Sequence, residues 1–437
     1  MVRLIATAGP AWASKSAARL ARIGTGCVLV AVLFAAPRGH AASPGQPVVA
    51  KVEMKLQGEA KAVELIARGD LLTVIEDRGD DYVIVTQHGI RGAVGKANVA
   101  ELADSTDIYT ELIEKFPQQG RYDTLRASAW WARGEHDRAL ADFNSAIDKG
   151  FQAAQAYSSR GLFLAAQGDH QGALADYDRA LAIDPGDVTP LVNRAEINMQ
   201  QGEFDKAIAD YTAALKTRPD NAALLRQRAI ASKAAGKLEQ AISDLDAIIA
   251  ANAEDAQAVM DRGYIRFQQG QYAAAAADFS IAIKLNDQDS VAWNNRGYNL
   301  YQLGKGAEAL HDFDRAIELA PNYALAHQNR AWLLSTSDDP SLRDPEAAVT
   351  AAKRACDINA YKNISDLSAL AAAYAAAGRF QEAIQWQEKV IELAPEDVKA
   401  VAKSLLSRYR DQQPFIKQNP ADKNGSGQRE GGEIQPR

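Results

Sequence analysis

The chain repeats itself. From about residue 104 to residue 397 one pattern of small and aromatic positions returns every 34 residues. A chain built this way can bury its apolar surface only by stacking each unit on the next. Gly134, Gly168, Gly202, Gly236, Gly270 and Gly304 stand at that interval, and Ala139, Ala173, Ala207, Ala241, Ala275 and Ala309 follow them five residues later. Tyr109, Phe143, Tyr177, Tyr211, Phe279 and Phe313 share a register, with Leu245 in the remaining place. On both sides of each glycine the apolar residues recur with helical period, which predicts a helix, a turn on backbone free to take positive φ, and a second helix. Small alanines let the two helices approach, and the aromatics supply the knobs between them. Pro117, Pro185, Pro219 and Pro321 end second helices. The expected fold class is therefore mainly α, an α-solenoid of helix-turn-helix repeats.

The unit from Asn295 to Pro321 shows the pattern most fully, with Gly304, Ala309, Phe313 and Pro321 in place. It resembles the tetratricopeptide repeat, and the resemblance extends over roughly three hundred residues. A half repeat is expected at 104–117, then full repeats from near 120, 154, 188, 222, 256, 290 and 324, the last with a widened loop from Leu334 to Pro345. An eighth occupies 364–397, and a helix to about Arg410 closes a repeat domain of 104–411. The tail, 412–437, is rich in Gln, Asn, Gly and Lys, and disorder is expected there.

Residues 43–103 read differently. Their apolar residues alternate with period two in Leu71–Ile75, Tyr82–Thr86 and Ile90–Val94, separated by turns at Asp77–Asp81 and His88–Gly89, and predict a small antiparallel barrel. The stretch from Gly69 to Val99 resembles the bacterial SH3-like domains of envelope proteins. The whole chain is thus expected to be an α-solenoid preceded by a small all-β SH3-like barrel.

The spacings that enzymes require are missing from the sequence: it has no nucleophile with its base, metal-ligand cluster or phosphate loop. The expectation is a non-catalytic protein with no cofactor and no metal. His136 and His170, one repeat apart, read as half-exposed packing residues, and Cys356 as a small buried hydrophobe.

Two charged series keep the 34-residue register. Arg126, Arg160, Arg194, Arg228, Arg262, Arg296 and Arg330 lie in first helices, and Asp142, Asp176, Asp210, Asp244, Asp278 and Asp312 in second helices. A basic stripe for an acidic ligand would not call for a matching aspartate in each repeat, so the series read as a structural ladder of charge-assisted pairs. The Asp series stops one repeat early, which favours pairing each Asp with the Arg 18 residues downstream, Asp312 with Arg330.

In tetratricopeptide proteins partner peptides lie on the face lined by first helices. Carried over by register, that resemblance implies a partner-binding groove at Met260, Tyr264, Phe267, Asn294, Tyr298, Tyr301, Gln328 and Trp332, with Asn193, Asn295 and Asn329 able to hold a peptide backbone. Aromatic bodies with polar tips suit peptide recognition. The expected function is a scaffold or adaptor that binds a protein or peptide partner. The alternative is a structural envelope protein whose barrel contacts the cell wall or another envelope protein while the repeats act as spacer or oligomerisation element.

Residues 1–42 carry five basic residues and no acidic one, the apolar run Cys27–Phe34 and a small-residue exit at Gly39–Ala42. That order is the one a secretory signal peptide has, and the run is too short for a good membrane span. Removing it takes the formal charge from −7 to −12. Such a surface disfavours nucleic acid and anionic lipid. Export across the inner membrane, to the periplasm, is expected. N-terminal sequencing of the exported protein should then begin near Ala42 or Ser43; a chain retained in the cytoplasm and starting at Met1 would exclude export.

Overall fold

The computed structural model describes residues 43–57, 63–150 and 153–417. The expected export signal and residues 418–437 of the expected tail lie outside them. The chain divides between Ala235 and Gly236 into two compact units.

The first unit begins with seven strands: β1 Pro47–Ala50, β2 Met54–Gln57, β3 Val63–Ile66, β4 Leu71–Asp77, β5 Asp81–Val85, β6 Arg91–Gly95 and β7 Val99–Glu101. Five form one antiparallel sheet in the order β6-β5-β4-β1-β7, and β2 pairs with β3 in a separate hairpin. Alternation along β4 and β5 sends Leu72, Val74, Tyr82 and Ile84 inward, where they meet Val48, Leu56, Ile66, Val94 and Val99 in one core. The hairpin closes over Gly92, where an added Cβ would stand 2.6 Å from Leu56 Cδ1, so only glycine fits.

Eight helices follow: α1 Thr106–Lys115, α2 Gly120–Ala132, α3 His136–Asp148, α4 Ala153–Ala166, α5 His170–Ile183, α6 Val188–Gln200, α7 Phe204–Thr217 and α8 Ala222–Ala234. The expected half repeat is α1. It joins repeats to strands, because the Tyr109 hydroxyl donates to the Gly69 carbonyl at 3.2 Å, and α2 adds Arg121, whose Nη2 reaches Asp70 at 3.1 Å. His136 lies at the surface against Gln167, with its ring edge-on to Phe163.

The second unit holds α9 Leu238–Ala251, α10 Ala256–Gln268, α11 Tyr272–Leu285, α12 Ser290–Gln302, α13 Gly306–Leu319, α14 Ala324–Thr336, α15 Pro345–Ile358, α16 Ile364–Ala376, α17 Phe380–Leu393 and α18 Glu396–Arg410. Asp255 and Asp289 cap α10 and α12 through the first free amides. Gly270 and Gly304 take φ of 72° and 77° between paired helices, a conformation that favours glycine. The repeated alanines are fully buried, as are Tyr109, Phe143, Tyr177, Tyr211, Phe279 and Phe313. At Gly297 a Cβ would stand 2.9 Å from the Phe313 ring, so the residue after the ladder arginine must be small for the aromatic to seat. Cys356 is buried, and burial pushes its thiol up to about 12.

The ladder pairs differently from the 18-residue rule. Five of the arginines meet the aspartate 16 residues downstream, in their own repeats: Arg126 with Asp142, Arg160 with Asp176, Arg194 with Asp210, Arg262 with Asp278, and Arg296 with Asp312. All five pairs are bidentate; in the last, Nε and Nη2 each donate at 2.7 Å. The reason is hairpin symmetry: Arg296 and Asp312 stand eight residues either side of Gly304. The remaining nitrogen, Nη1, reaches 16 residues upstream. Arg126 finds Thr110, Arg160 Asn144, Arg194 Asp178, Arg228 Thr212, Arg262 Asp246 and Arg296 Ser280. Arg330, with no aspartate downstream in register, donates from Nε to Asp314 at 2.6 Å. The five paired arginines are therefore staples, each joining its own hairpin to the second helix of the preceding one.

Asp312 is 1% exposed, and the bonds it accepts hold the Arg296 guanidinium above its ordinary pKa. Arg296→Ala should destabilise the chain by about 3–5 kcal/mol, because a buried carboxylate loses its partner. Arg296→Ala with Asp312→Ala should recover part of that loss in thermal melts. A second test concerns Asp366 in α16, buried with only Asn359 Nδ2 bonded to it; burial pushes its carboxyl up to about 6 from 3.8. The folded chain then holds more protons than the unfolded one between those values, so stability falls as pH rises through that window. Asp366→Asn should raise stability at pH 7.5 by about 1–3 kcal/mol and change nothing below about pH 3.5.

Candidate functional site

Three first helices of the second unit, α10, α12 and α14, border a small cleft with a volume of about 50 Å³. Its walls are aromatic. Phe267 and Tyr298, from successive repeats, meet edge to face with centroids 5.5 Å apart. Tyr264 stands edge-on to both Phe267 and Phe279 and is 37% exposed, with burial holding its hydroxyl above the ordinary phenol range. Leu325 of α14 completes the apolar lining.

The floor is made of amides. Asn294 is buried and accepts from Asn329 Nδ2 at 2.9 Å, while its own Nδ2 reaches the Tyr323 hydroxyl at 3.4 Å. Asn299 donates to the Asn295 carbonyl, one turn back in α12. Two atoms of this set have no partner: Asn295 Nδ2, a donor, and Asn299 Oδ1, an acceptor. Both line the cleft one helical turn apart. One unpaired donor and one unpaired acceptor on the same helix match in kind the groups of a peptide unit, which offers one carbonyl and one N–H.

The sequence-predicted residues separate into three sets. Tyr264, Phe267, Asn294 and Tyr298 line the cleft, as do Asn295 and Asn329. Met260 instead packs on the cluster of Val259, Ala282, Ile283 and Ala292, and Gln328 is buried, and neither lines the cleft. Tyr301 and Trp332 continue the stripe one repeat on but are covered by Lys417 and Phe415 of the chain's own tail. Residues 414–417 are thus packed against the repeats, not disordered as expected. Asn193 lies in α6, in the other unit. The reading of the sequence missed Asn299, whose signal was its place four residues after Asn295 on one helix face.

The ladder arginines do not present a basic stripe to a ligand, since Arg262 and Arg296 bind the chain's own carboxylates. Among the described residues no three His, Cys, Asp or Glu side chains form a group able to hold a metal, and no helix is long and apolar enough to cross a membrane.

Sequence profiles of the tetratricopeptide repeat match residues 101–153, 126–188 and 226–290, then 160–224, 290–323 and 365–397, together more than half of the chain. Similar solved structures include the MamA protein, 23% identical with a TM-score of 0.36 over 40% of this chain and 93% of that one. YrrB, titled a TPR protein with an unusual peptide-binding site, is 22% identical with a TM-score of 0.38 over 42% and 95%. A tetratricopeptide repeat protein from Parabacteroides merdae is 20% identical with a TM-score of 0.37 over 69% and 98%. Comparison with curated proteins gives no match. With its helical hairpins recurring at 34 residues, its turn glycines and seated aromatics, and these profile matches, the chain belongs to the tetratricopeptide repeat family and carries a small β domain ahead of its repeats.

Proposed function

We propose that this chain is an exported, non-catalytic adaptor that holds an extended segment of a partner protein in the cleft between α10, α12 and α14. The observation that carries the proposal is the pair of unpartnered amide atoms, Asn295 Nδ2 and Asn299 Oδ1, at the floor of an aromatic cleft. Buried polar atoms left unmade cost about 1–3 kcal/mol each. Both atoms are covered from solvent, so a peptide backbone would satisfy them as the side chains over them move aside, with its own side chains then against Tyr264, Phe267 and Tyr298. Recognition of this kind reads an extended backbone and apolar side chains instead of charge, in keeping with arginines already engaged by aspartates.

Export is part of the same proposal and rests on the order of basic, apolar and small residues before Ser43. The β domain is proposed to be SH3-like, on its sequence resemblance and on a five-stranded antiparallel sheet with a 3-10 turn at Lys96–Asn98 before the last strand. The expected partner is a protein or peptide, with neither nucleic acid nor membrane as ligand.

The test is selection of peptides from a random library on residues 43–437, followed by affinity measurement on variants. Asn295→Ala and Tyr298→Ala should each weaken the selected peptides by about 1–3 kcal/mol while helix content and melting stay near the parent's. Peptides that bind both variants as well as the parent would remove the cleft as the binding site.

A further inference from the structure

The open cleft is one stretch of a longer stripe. Tyr264, Tyr298 and Trp332 stand 34 residues apart on α10, α12 and α14, and Phe267 and Tyr301 share a second register three residues on. The first four of these residues in chain order, Tyr264, Phe267, Tyr298 and Tyr301, come from α10 and α12, but only the first three line the open cleft. At Tyr301 and Trp332 the stripe is occupied.

The occupant is the segment that follows α18. The chain turns at Gln412, which has a positive φ of 55°, and residues 413–417 continue without helix or strand. Phe415 packs on Trp332 with ring centroids 6.0 Å apart. Lys417 sets its ammonium 3.7 Å above the Tyr301 ring and donates to Gln302 Oε1 at 3.2 Å. Its backbone N–H donates at 2.7 Å to the Thr336 carbonyl, one of the free carbonyls at the end of α14. Tyr301 is braced from beneath by the Thr336 hydroxyl at 3.1 Å. The contact therefore has an aromatic anchor, a cation over an aromatic face and one main-chain hydrogen bond, the ordinary elements by which an extended peptide is read. It has no ladder of backbone bonds to make it permanent, and Pro414 to Lys417 remain half-exposed.

We infer that the surface of Trp332, Tyr301, Gln302 and Thr336 is a recognition site for an extended segment carrying an aromatic residue two positions before a lysine, and that Phe415-Ile416-Lys417 is its exchangeable internal occupant. This rests on the proposed reading of the first-helix face as a peptide groove and names the chemistry of one part of it. Gln302 Nε2, buried without a hydrogen-bond partner, offers an incoming segment a donor that the tail leaves unused. The partner is a protein segment with the same aromatic and cationic pair; its binding displaces the tail, and the tail lowers its apparent affinity in proportion to the time the site is filled.

The experiment uses residues 43–437 and a fluorescein-labelled peptide of sequence Asp411–Lys417 as probe. The parent chain, with its site filled, should bind the probe weakly. Phe415→Ala with Lys417→Ala in the full chain should bind it about tenfold or more tightly, since the competent fraction rises when the occupant is lost. Lys417→Glu, which leaves Phe415 in place, should give a smaller gain. Adding Trp332→Ala to the double variant should abolish the gain, and so should replacing Phe and Lys of the probe by Ala. Equal weak binding by parent and double variant, with the double variant's melt unchanged or lowered, would overturn the inference and leave the tail a fixed strap. Asn295→Ala separates this result from the wider reading: it should leave probe binding intact while weakening library-selected peptides. Loss of that second effect alone would count against the open cleft and not against the tail site.

Discussion

A guanidinium that binds in two directions sets the geometry on which the rest of this structure depends. In Arg296 the Nε and Nη2 edge grips Asp312 across the hairpin, and Nη1 reaches Ser280 in the preceding second helix. A lysine could make one of these contacts but not both, since only the planar fork presents donors at two fixed edges. The small residue beside the arginine completes the device: at Gly297 the backbone approaches closely enough for Phe313 to seat on it. Hairpin closure, aromatic packing and the angle to the preceding helix are thus coupled at one point per repeat. The β domain is held separately, through Tyr109 and Arg121 onto the turn at Gly69 and Asp70.

That use of the arginines decides what the first-helix face can offer. Arg262 and Arg296 are drawn down onto Asp278 and Asp312, leaving Tyr264, Phe267, Tyr298 and the asparagines to line the cleft. On the proposed reading, selectivity comes from the spacing of aromatic pockets and from backbone contacts. One repeat on, where the lining is Tyr301 and Gln302, the cation comes from the occupant itself, Lys417. The same aromatic register thus meets two chemistries along its length.

Much of this was legible in the sequence, for a definite reason. Residues that recur every 34 positions must occupy equivalent places, so the turn glycines, the seated aromatics and the ladder arginines announced themselves. Period alone does not say which way a side chain points on a helix packed on more than one side. Met260 and Gln328 occupy first-helix positions like Tyr264, yet the neighbouring helix bundle takes them in. Counting where the charged series end gave the wrong partner for each aspartate, whereas symmetry about Gly304 gives the right one. The upstream acceptors Thr110, Asn144, Asp178, Thr212, Asp246, Ser280 and Asp314 went unseen because their residue type varies while their function as acceptor does not. The tail was misread because its polar composition hid one apolar pair, Phe415 and Ile416, with a lysine beside it.

The contrast between satisfied and unsatisfied polar groups carries the argument about function further than fold does. Along the ladder every buried aspartate that pairs within a unit has two charge-assisted bonds, so those carboxylates are accounted for by stability alone. At Asn295, Asn299 and Gln302 a donor, an acceptor and a second donor are withdrawn from water without partners, as are buried polar atoms elsewhere in the chain such as Tyr177 Oη, Asp366 Oδ1 and Gln387 Oε1; what sets the three apart is that they share one helix beside the cleft and the docked tail. An apolar side chain of similar size would fill each place without that penalty of about 1–3 kcal/mol per group. All three lie on α12, under aromatic rings, and the part of that stripe nearest Gln302 already holds an extended peptide, the chain's own. The unsatisfied atoms and the seated tail are independent observations, one of polar groups awaiting partners and one of a segment already docked. Both support the proposal that an extended chain docks on the face of α12 and α14.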